Sequence, residues 1–145
     1  MDPGVNHVNI SNARLPEQQE VLERISARGE CPFCMRNFAK EHKRPILRGG
    51  VHWIVTHNQW PYEHTKYHLL LIPRQHVTNP ADLHPDAWEE LGVMVRWIEG
   101  KFGPGSGGFV SRFGDTEMSG GTVSHYHFHF IVSDGPVRFR IGTRE

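Results

Sequence analysis

Between Val123 and Ser133 the chain reads Val-Ser-His-Tyr-His-Phe-His-Phe-Ile-Val-Ser, and no other stretch constrains its fold as tightly. Side chains alternate across a β-strand, so one face carries Val123, His125, His127, His129 and Ile131. The other carries Ser124, Tyr126, Phe128, Phe130 and Val132. That second face is nearly all apolar and has to pack into a core, so the strand belongs to a sheet with a layer over it. The first face sets three imidazoles about 6.6–6.8 Å apart from Cα to Cα, two strand rises each. At that spacing neighbouring rings interact, and all three can surround one group the size of a phosphate. A polar face turned to solvent is the plain reading, but Ser, Thr or Lys would serve for that. A metal-binding face is a second, since imidazole is the commonest metal ligand. The third is nucleophilic catalysis, in which one neutral histidine attacks phosphorus while its neighbours orient it and stabilise the equatorial oxygens.

The surrounding pattern is mostly strands with one long helix packed on them, which predicts an α+β domain with an antiparallel sheet. Pro16–Arg28 reads as a helix with proline in its first turn and Gly29 as its stop. A second helical piece runs to about Ala39. Pro45–Arg48 and Val51–His57 read as a hairpin around Gly49-Gly50, with His52, Ile54 and Thr56 on one side and Val51, Trp53 and Val55 on the other. Tyr67–Pro73 is apolar on both faces and reads as the central strand. The main helix is Pro85–Phe102, with Trp88, Leu91, Val95, Ile98 and Phe102 on one stripe and Gly103-Pro104 as its stop. Phe109–Phe113 is a further strand. The alternating tail Val137–Ile141 reads as a half-buried strand whose Arg138 and Arg140, with Arg144 beyond, form a solvated edge or meet a polyphosphate.

At 145 residues the chain has the length of one domain, expected to span 1–145 with an N-terminal extension and helix to residue 30, a core over 31–132 and a tail strand over 133–145. Sixteen Lys and Arg balance sixteen Asp and Glu, so there is no basic field for nucleic acid or an anionic membrane. The longest apolar run, Leu69–Ile72, is far short of a membrane span, and the first residues lack the charged leader and apolar stretch of a signal peptide. A cytoplasmic location follows as the expectation. The one compositional anomaly is eleven histidines spread from His7 to His129. Of these, His7, His42, His52, His57, His64 and His84 read as surface or satisfied residues. Trp60 and Tyr62, beside Pro61, read as packing anchors or as platforms for a base.

Cys31-Pro-Phe-Cys34 holds the only two cysteines. A pair at this spacing suggests half a zinc site or a redox pair, and no βαβ pattern surrounds it to favour the redox reading. Tetrahedral zinc needs two more ligands, which histidine supplies most readily; two buried, inert cysteines are the plain alternative.

The segment His125-Tyr-His127-Phe-His129-Phe-Ile131 resembles the histidine triad (HIT) motif at every position. Tyr67-His68-Leu-Leu-Leu-Ile72-Pro73-Arg74-Gln75-His76 is similar to a second block of that family. The resemblance covers about Cys31 to Val132 and implies an α+β fold of a five-stranded antiparallel sheet with one long helix and shorter helices, commonly paired as a homodimer. It implies that His127 is the nucleophile, with His129 and His68 lining the phosphate site. It places Thr122 against the phosphate and Asn58 against the ribose hydroxyls. The run from Asn58 to Tyr62 looks like the dinucleoside-polyphosphate branch. Gly121 stands where the family usually has a Gln that contacts the leaving-group bridge, in a stretch two residues longer than usual, and Ser119 or Glu117 would have to substitute. Some members bind zinc at positions equivalent to Cys31, Cys34, His76 and His125, which implies a structural Zn2+ here. The function so implied is a nucleotide hydrolase or nucleotidyltransferase acting at the α-phosphate of a purine nucleotide. Its substrates would be phosphoramidates or dinucleoside polyphosphates, and a phosphate acceptor would make it a phosphorylase. The alternatives are a zinc-stabilised nucleotide-binding interaction protein with little turnover, and a metalloenzyme that uses the triad as ligands.

Overall fold

In the computed structural model, which describes residues 6–143, five antiparallel strands make one sheet in the order β1-β2-β3-β5-β4. The strands are β1 Ile46–Gly49, β2 Trp53–His57, β3 Thr65–Pro73, β4 Gly108–Arg112 and β5 His127–Ser133. The helices are α1 Pro16–Arg28, α2 Met35–Glu41, α3 Pro85–Phe102 and the single turn α4 Thr116–Ser119. β3 lies at the centre because its run from His68 to Pro73 is buried on both faces.

Alternation along the strands sorts the core into two layers. Trp53, Val55, Leu69, Leu71 and Tyr126 are buried beneath α3, with Phe128 and Phe130 packed beside them. On the opposite face Ile54, Leu70 and Ile72 pack against Phe38 of α2. α1 sets Leu22 and Ile25 on Val8, with Val123 beside them, and so brings the N-terminal segment over this second face. Among the described residues no helix is long and apolar enough to cross a membrane.

α3 has the predicted limits, from Pro85 to a left-handed Gly103 (φ 59°), but its buried stripe is Ala87, Leu91, Met94 and Ile98. Trp88 is 44% exposed. The small Ala87 admits the Trp53 indole, whose Nε1–H donates to the Ala87 carbonyl at 2.6 Å, and this turns the bulky Trp88 to the rim. The β1–β2 turn is held from the same helix. The Glu90 carboxylate accepts the backbone N–H groups of Val51, His52 and Trp53 at 2.8–2.9 Å.

Two predicted strands change. β5 starts at His127, not Val123, because β4 ends where Arg112 pairs with His127 and leaves no ladder partner earlier. Residues 123–126 instead bond elsewhere, Ser124 N–H to His7 O at 2.9 Å and Tyr126 N–H to Val77 O at 2.8 Å. The tail over 137–141 is not a strand. It crosses the sheet as a strap: Arg140 O accepts from Arg112 Nε–H at 2.7 Å, and Gly142 N–H donates to Ser119 O at 3.0 Å. Gly120 makes that crossing possible. Its φ is 84°, and a Cβ there would stand 2.5 Å from the Gly142 carbonyl oxygen. Arg144 lies outside the described residues.

Candidate active site

The β3–β5 register pairs His68 with Ile131 and Leu70 with His129, so His68 and His129 are diagonal neighbours on one face. Their Nε2 and Nδ1 atoms are 2.8 Å apart. On the other side of β5, Arg112 is the direct cross-strand partner of His127. The His127 and His129 ring centroids are 5.0 Å apart. Arg112, His127 and His129 line a cavity of about 780 Å³ between the sheet, α1 and the C-terminal strap, whereas His68, expected at the phosphate site, is buried behind His129 and does not line it.

Backbone contacts set the tautomers. His68 Nδ1 accepts the Tyr62 N–H at 3.1 Å, so its proton is on Nε2 and is donated to His129 Nδ1. His129 therefore carries its own proton on Nε2. His127 Nδ1–H donates to the His125 carbonyl at 2.7 Å, which leaves a lone pair on His127 Nε2. His125 Nε2–H donates to the Pro73 carbonyl at 2.8 Å, which leaves a lone pair on its Nδ1. Each ring is fixed by a neighbouring group: His68 by a loop N–H, His125 and His127 by carbonyls, and His129 by His68.

Burial is the main force on these groups. It lowers His68 to about 3, with Arg14, His127 and Arg112 adding repulsion. It lowers His127 to about 4, against the His125 carbonyl, which favours the charged ring, and with Arg112 adding repulsion. His129 lies well below the ordinary imidazole range, first through burial and then through its histidine neighbours. The cluster is therefore uncharged at neutral pH, and the positive charge beside it comes from guanidinium groups.

A second cluster lies behind the strand. Cys31, Cys34, His76 and His125 place one donor atom each within 4.8 Å of one another. The His125 Nδ1 lone pair lies 3.4 Å from Cys31 Sγ, 3.9 Å from Cys34 Sγ and 3.2 Å from His76 Nδ1, and Cys34 Sγ is 3.3 Å from His76 Nδ1. Edges of this length suit a tetrahedron with metal–sulfur bonds of about 2.3 Å and metal–nitrogen bonds of about 2.0–2.1 Å. The Pro73 carbonyl supplies the outer hydrogen bond that metal-bound imidazoles commonly have. Without a cation, burial and Cys34 push the Cys31 thiol up to about 12. Two thiolates and two neutral imidazoles balance one divalent ion, so the donor set fits Zn2+.

The other expected residues divide. Asn58 and Thr122 line the cavity. The Asn58 Oδ1 accepts the Trp60 N–H at 2.8 Å. Ser119 and Gly121 do not line it; the Ser119 Oγ accepts the Gly121 N–H at 3.2 Å. Glu117 accepts from Asn9 Nδ2 at 2.8 Å. Tyr62 lies edge-on to His68 at 4.5 Å and nearly parallel to His129 at 5.6 Å, so it packs on the imidazoles. Sequence reasoning missed Arg14, Arg112 and Phe139. Arg14 lies over the Tyr62 ring at 4.5 Å, Arg112 over the Phe139 ring at 3.9 Å, and Phe139 edge-on to His129 at 5.3 Å. The place of Arg112 opposite His127 depends on the β4–β5 register, and the other two on how loops fold back, so no local pattern carried them. His7, read as a surface or satisfied residue, is buried edge-on to His76 at 5.3 Å. His42 is half-buried and bonded to Thr56.

The sheet, its helical cover and the paired imidazoles on β3 and β5 define an α+β protein with a histidine cluster facing a deep cavity. The HIT domain family profile matches residues 57–135, more than half of the chain, and the protein belongs to that family. No curated protein matches the chain. Among solved structures, a histidine triad nucleotide-binding protein from Candida albicans is similar at 18% identity, over 80% of this chain and 84% of that one, with a TM-score of 0.61. A HIT family hydrolase from Clostridium thermocellum is similar at 20% identity, over 74% and 95%, with a TM-score of 0.55. A zinc-bound histidine triad family protein from Mycobacterium smegmatis is similar at 16% identity, over 72% and 75%, with a TM-score of 0.54. At these identities the likeness is one of fold.

Proposed function

We propose that the protein is a nucleotide hydrolase or nucleotidyltransferase that works through a covalent nucleotidyl–His127. The observation that carries this reading is the hydrogen bond from His127 Nδ1 to the His125 carbonyl, which leaves the Nε2 lone pair at the cavity beside the His68–His129 pair. Nε2 attacks the α-phosphorus of a nucleoside polyphosphate or phosphoramidate. An N–P bond forms, and the bond from phosphorus to the leaving group breaks. A polyphosphate leaves as its anion, whereas an amine leaves with a proton drawn from solvent water. Water then attacks phosphorus, the N–P bond breaks, and nucleoside monophosphate and a proton are released. Inorganic phosphate in place of water would make the enzyme a phosphorylase.

His129 Nε2–H is placed to donate to an equatorial phosphate oxygen, and His68 holds that proton in position. Thr122 and Asn58, on the cavity wall, take the phosphate and ribose. Cys31, Cys34, His76 and His125 would hold a structural Zn2+, which would tie the segment after α1 to the start of β5. The whole chain acts as one domain, paired as a homodimer, and the mass in solution tests the pairing. The engagement of Ser119 and Gly121 with each other favours a second reading, in which nucleotide binds and turns over little.

The test is release of monophosphate from adenosine and guanosine phosphoramidates and diadenosine polyphosphates, with and without phosphate. Release should vanish in His127→Ala while mononucleotide binding survives. An unchanged rate in the variant would exclude His127 as nucleophile. No release from wild type with binding intact would favour the second reading.

A further inference from the structure

We propose that Arg112, with Arg14 beside it, forms a second anion subsite next to His127 that takes the β- and γ-phosphates of a leaving polyphosphate. This rests on the nucleotide reading above, because it takes the polyphosphate that leaves in that reaction.

Three features of the molecule carry it. Register comes first: Arg112 and His127 are paired residues of β4 and β5, so their side chains rise from the same face as immediate neighbours. A cation thus rises beside His127, and its guanidinium reaches the Tyr62 and Phe139 rings that pack on His129. Space comes second. Gly121 is buried, and a Cβ built on it would meet Arg112 Cδ at 3.8 Å. The bare glycine leaves its neighbourhood to the arginine stem, and a long side chain there would compete with the guanidinium for the same wall.

Donor count comes third. Arg112 Nε–H is held by the Arg140 carbonyl at 2.7 Å and Nη1 by the Tyr62 hydroxyl at 3.0 Å, while the plane rests on Phe139. Of the five N–H bonds of a guanidinium, the remaining three have no protein partner among the described residues. Neither Arg112 nor Arg14 makes an ion pair there. Arg14 donates to the Trp60 carbonyl and lies over the other side of the Tyr62 system. The two cations also repel each other across the cavity wall, which adds to the burial that lowers Arg14.

Two fixed guanidiniums, buttressed by an aromatic ring and a carbonyl, beside neutral imidazoles hold more positive charge than one phosphodiester-like group balances. A neutral amine gains nothing from them, whereas a polyphosphate places an oxygen pair on a preformed planar fork. The subsite therefore selects nucleotides with a polyanionic end over phosphoramidates.

Binding at equilibrium tests this without turnover. Calorimetric affinities of adenosine monophosphate and adenosine triphosphate, and of the guanosine pair, are compared in wild type, Arg112→Gln and Arg112→Lys. A charge-assisted hydrogen bond contributes about 1.5–3 kcal/mol, so wild type should prefer the triphosphate by about tenfold or more. Arg112→Gln should bring that preference to within about twofold by the same reasoning, with monophosphate affinity kept, and Arg112→Lys should retain part of it. Equal affinities in wild type, or a preference that survives Arg112→Gln, would overturn the subsite while leaving the His127 chemistry standing. Loss of monophosphate binding in both variants would overturn its separateness from the α-phosphate site. If wild type binds no nucleotide, the functional reading fails and takes this inference with it.

Discussion

Three histidines of one strand segment, and a fourth on its neighbour, have different chemistry because a different backbone group holds each ring. The His125 carbonyl accepts from His127 and so keeps its proton on Nδ1, the Pro73 carbonyl accepts from His125 and keeps its proton on Nε2, and the Tyr62 N–H forces the His68 proton onto Nε2. His68 in turn fixes His129. Removing the His68 ring should free the His129 tautomer and let its donor leave the phosphate. His68→Ala should therefore lower turnover by roughly 10²-fold without abolishing it, as loss of a proton-positioning group does. His68→Gln offers an amide N–H to His129 Nδ1 and should recover part of the rate in single-turnover release of monophosphate. Equal losses in the two variants would show that His68 acts only through packing. The alternation of residues 123–133 made the histidine face legible, but the tautomers of His125 and His68 depend on backbone groups brought in by other segments, and no local pattern carries those. Arg112 was hidden for a related reason. A lone arginine at a strand end has no motif, and its place opposite His127 exists only once β4 is in register.

At the level of elements, the Cys31–Cys34 turn follows α1 directly and meets His76, just after β3, and His125, just before β5. No side chain of the set shares an element with the others except the two cysteines. A divalent ion there would cross-link three separate parts of the chain. Cys31→Ser should lower bound zinc from close to one per chain to a small fraction by elemental analysis. It should also loosen the α1 side of the cavity, seen as faster amide exchange over residues 16–28 than over β2 and β3. Wild type purified with no zinc, and exchange unchanged in the variant, would mean that the four donors pack without a metal. Elements with strong local signals were legible to the residue: α1 and α3 each begin at a proline and stop at a left-handed glycine. The α3 face was harder to read, because Ala87, Leu91, Met94, Ile98 and the more hydrophobic stripe through Trp88 have the same helical spacing. Docking of Trp53 on the Ala87 carbonyl decides between them. The tail failed as a strand for the opposite reason: its alternation is real, but its backbone is taken up by Arg112 and Ser119.

Across the whole molecule, the buried neutral histidines make stability depend on pH. His42 stacks on Phe38 at 4.5 Å, and its Nε2 is 2.9 Å from Thr56 Oγ1, whose own proton goes to the Pro45 carbonyl. Burial, and then Arg44, lower His42 to about 4; the adjacent carboxylate, Glu41, is engaged by Arg24 and Arg28. In the unfolded chain an imidazole titrates near 6.5. Above that value neither state binds the proton, and the histidine adds no pH dependence. Between about 6.5 and 4 the unfolded chain takes up a proton that the folded chain refuses, so stability falls as the pH falls. Below about 4 the folded state binds it too, and the loss levels off. His68 acts in the same direction over a wider window, down to about 3. His42→Gln keeps a donor for Thr56 and removes one titrating group. Its urea midpoint should therefore decline less steeply than that of wild type between pH 6.5 and 4, while the difference between the two proteins stays constant from pH 7 to 8. Parallel declines through the acid range would mean that His42 is protonated as readily in the fold as in the open chain, and that the α2 end of the cavity admits water to it.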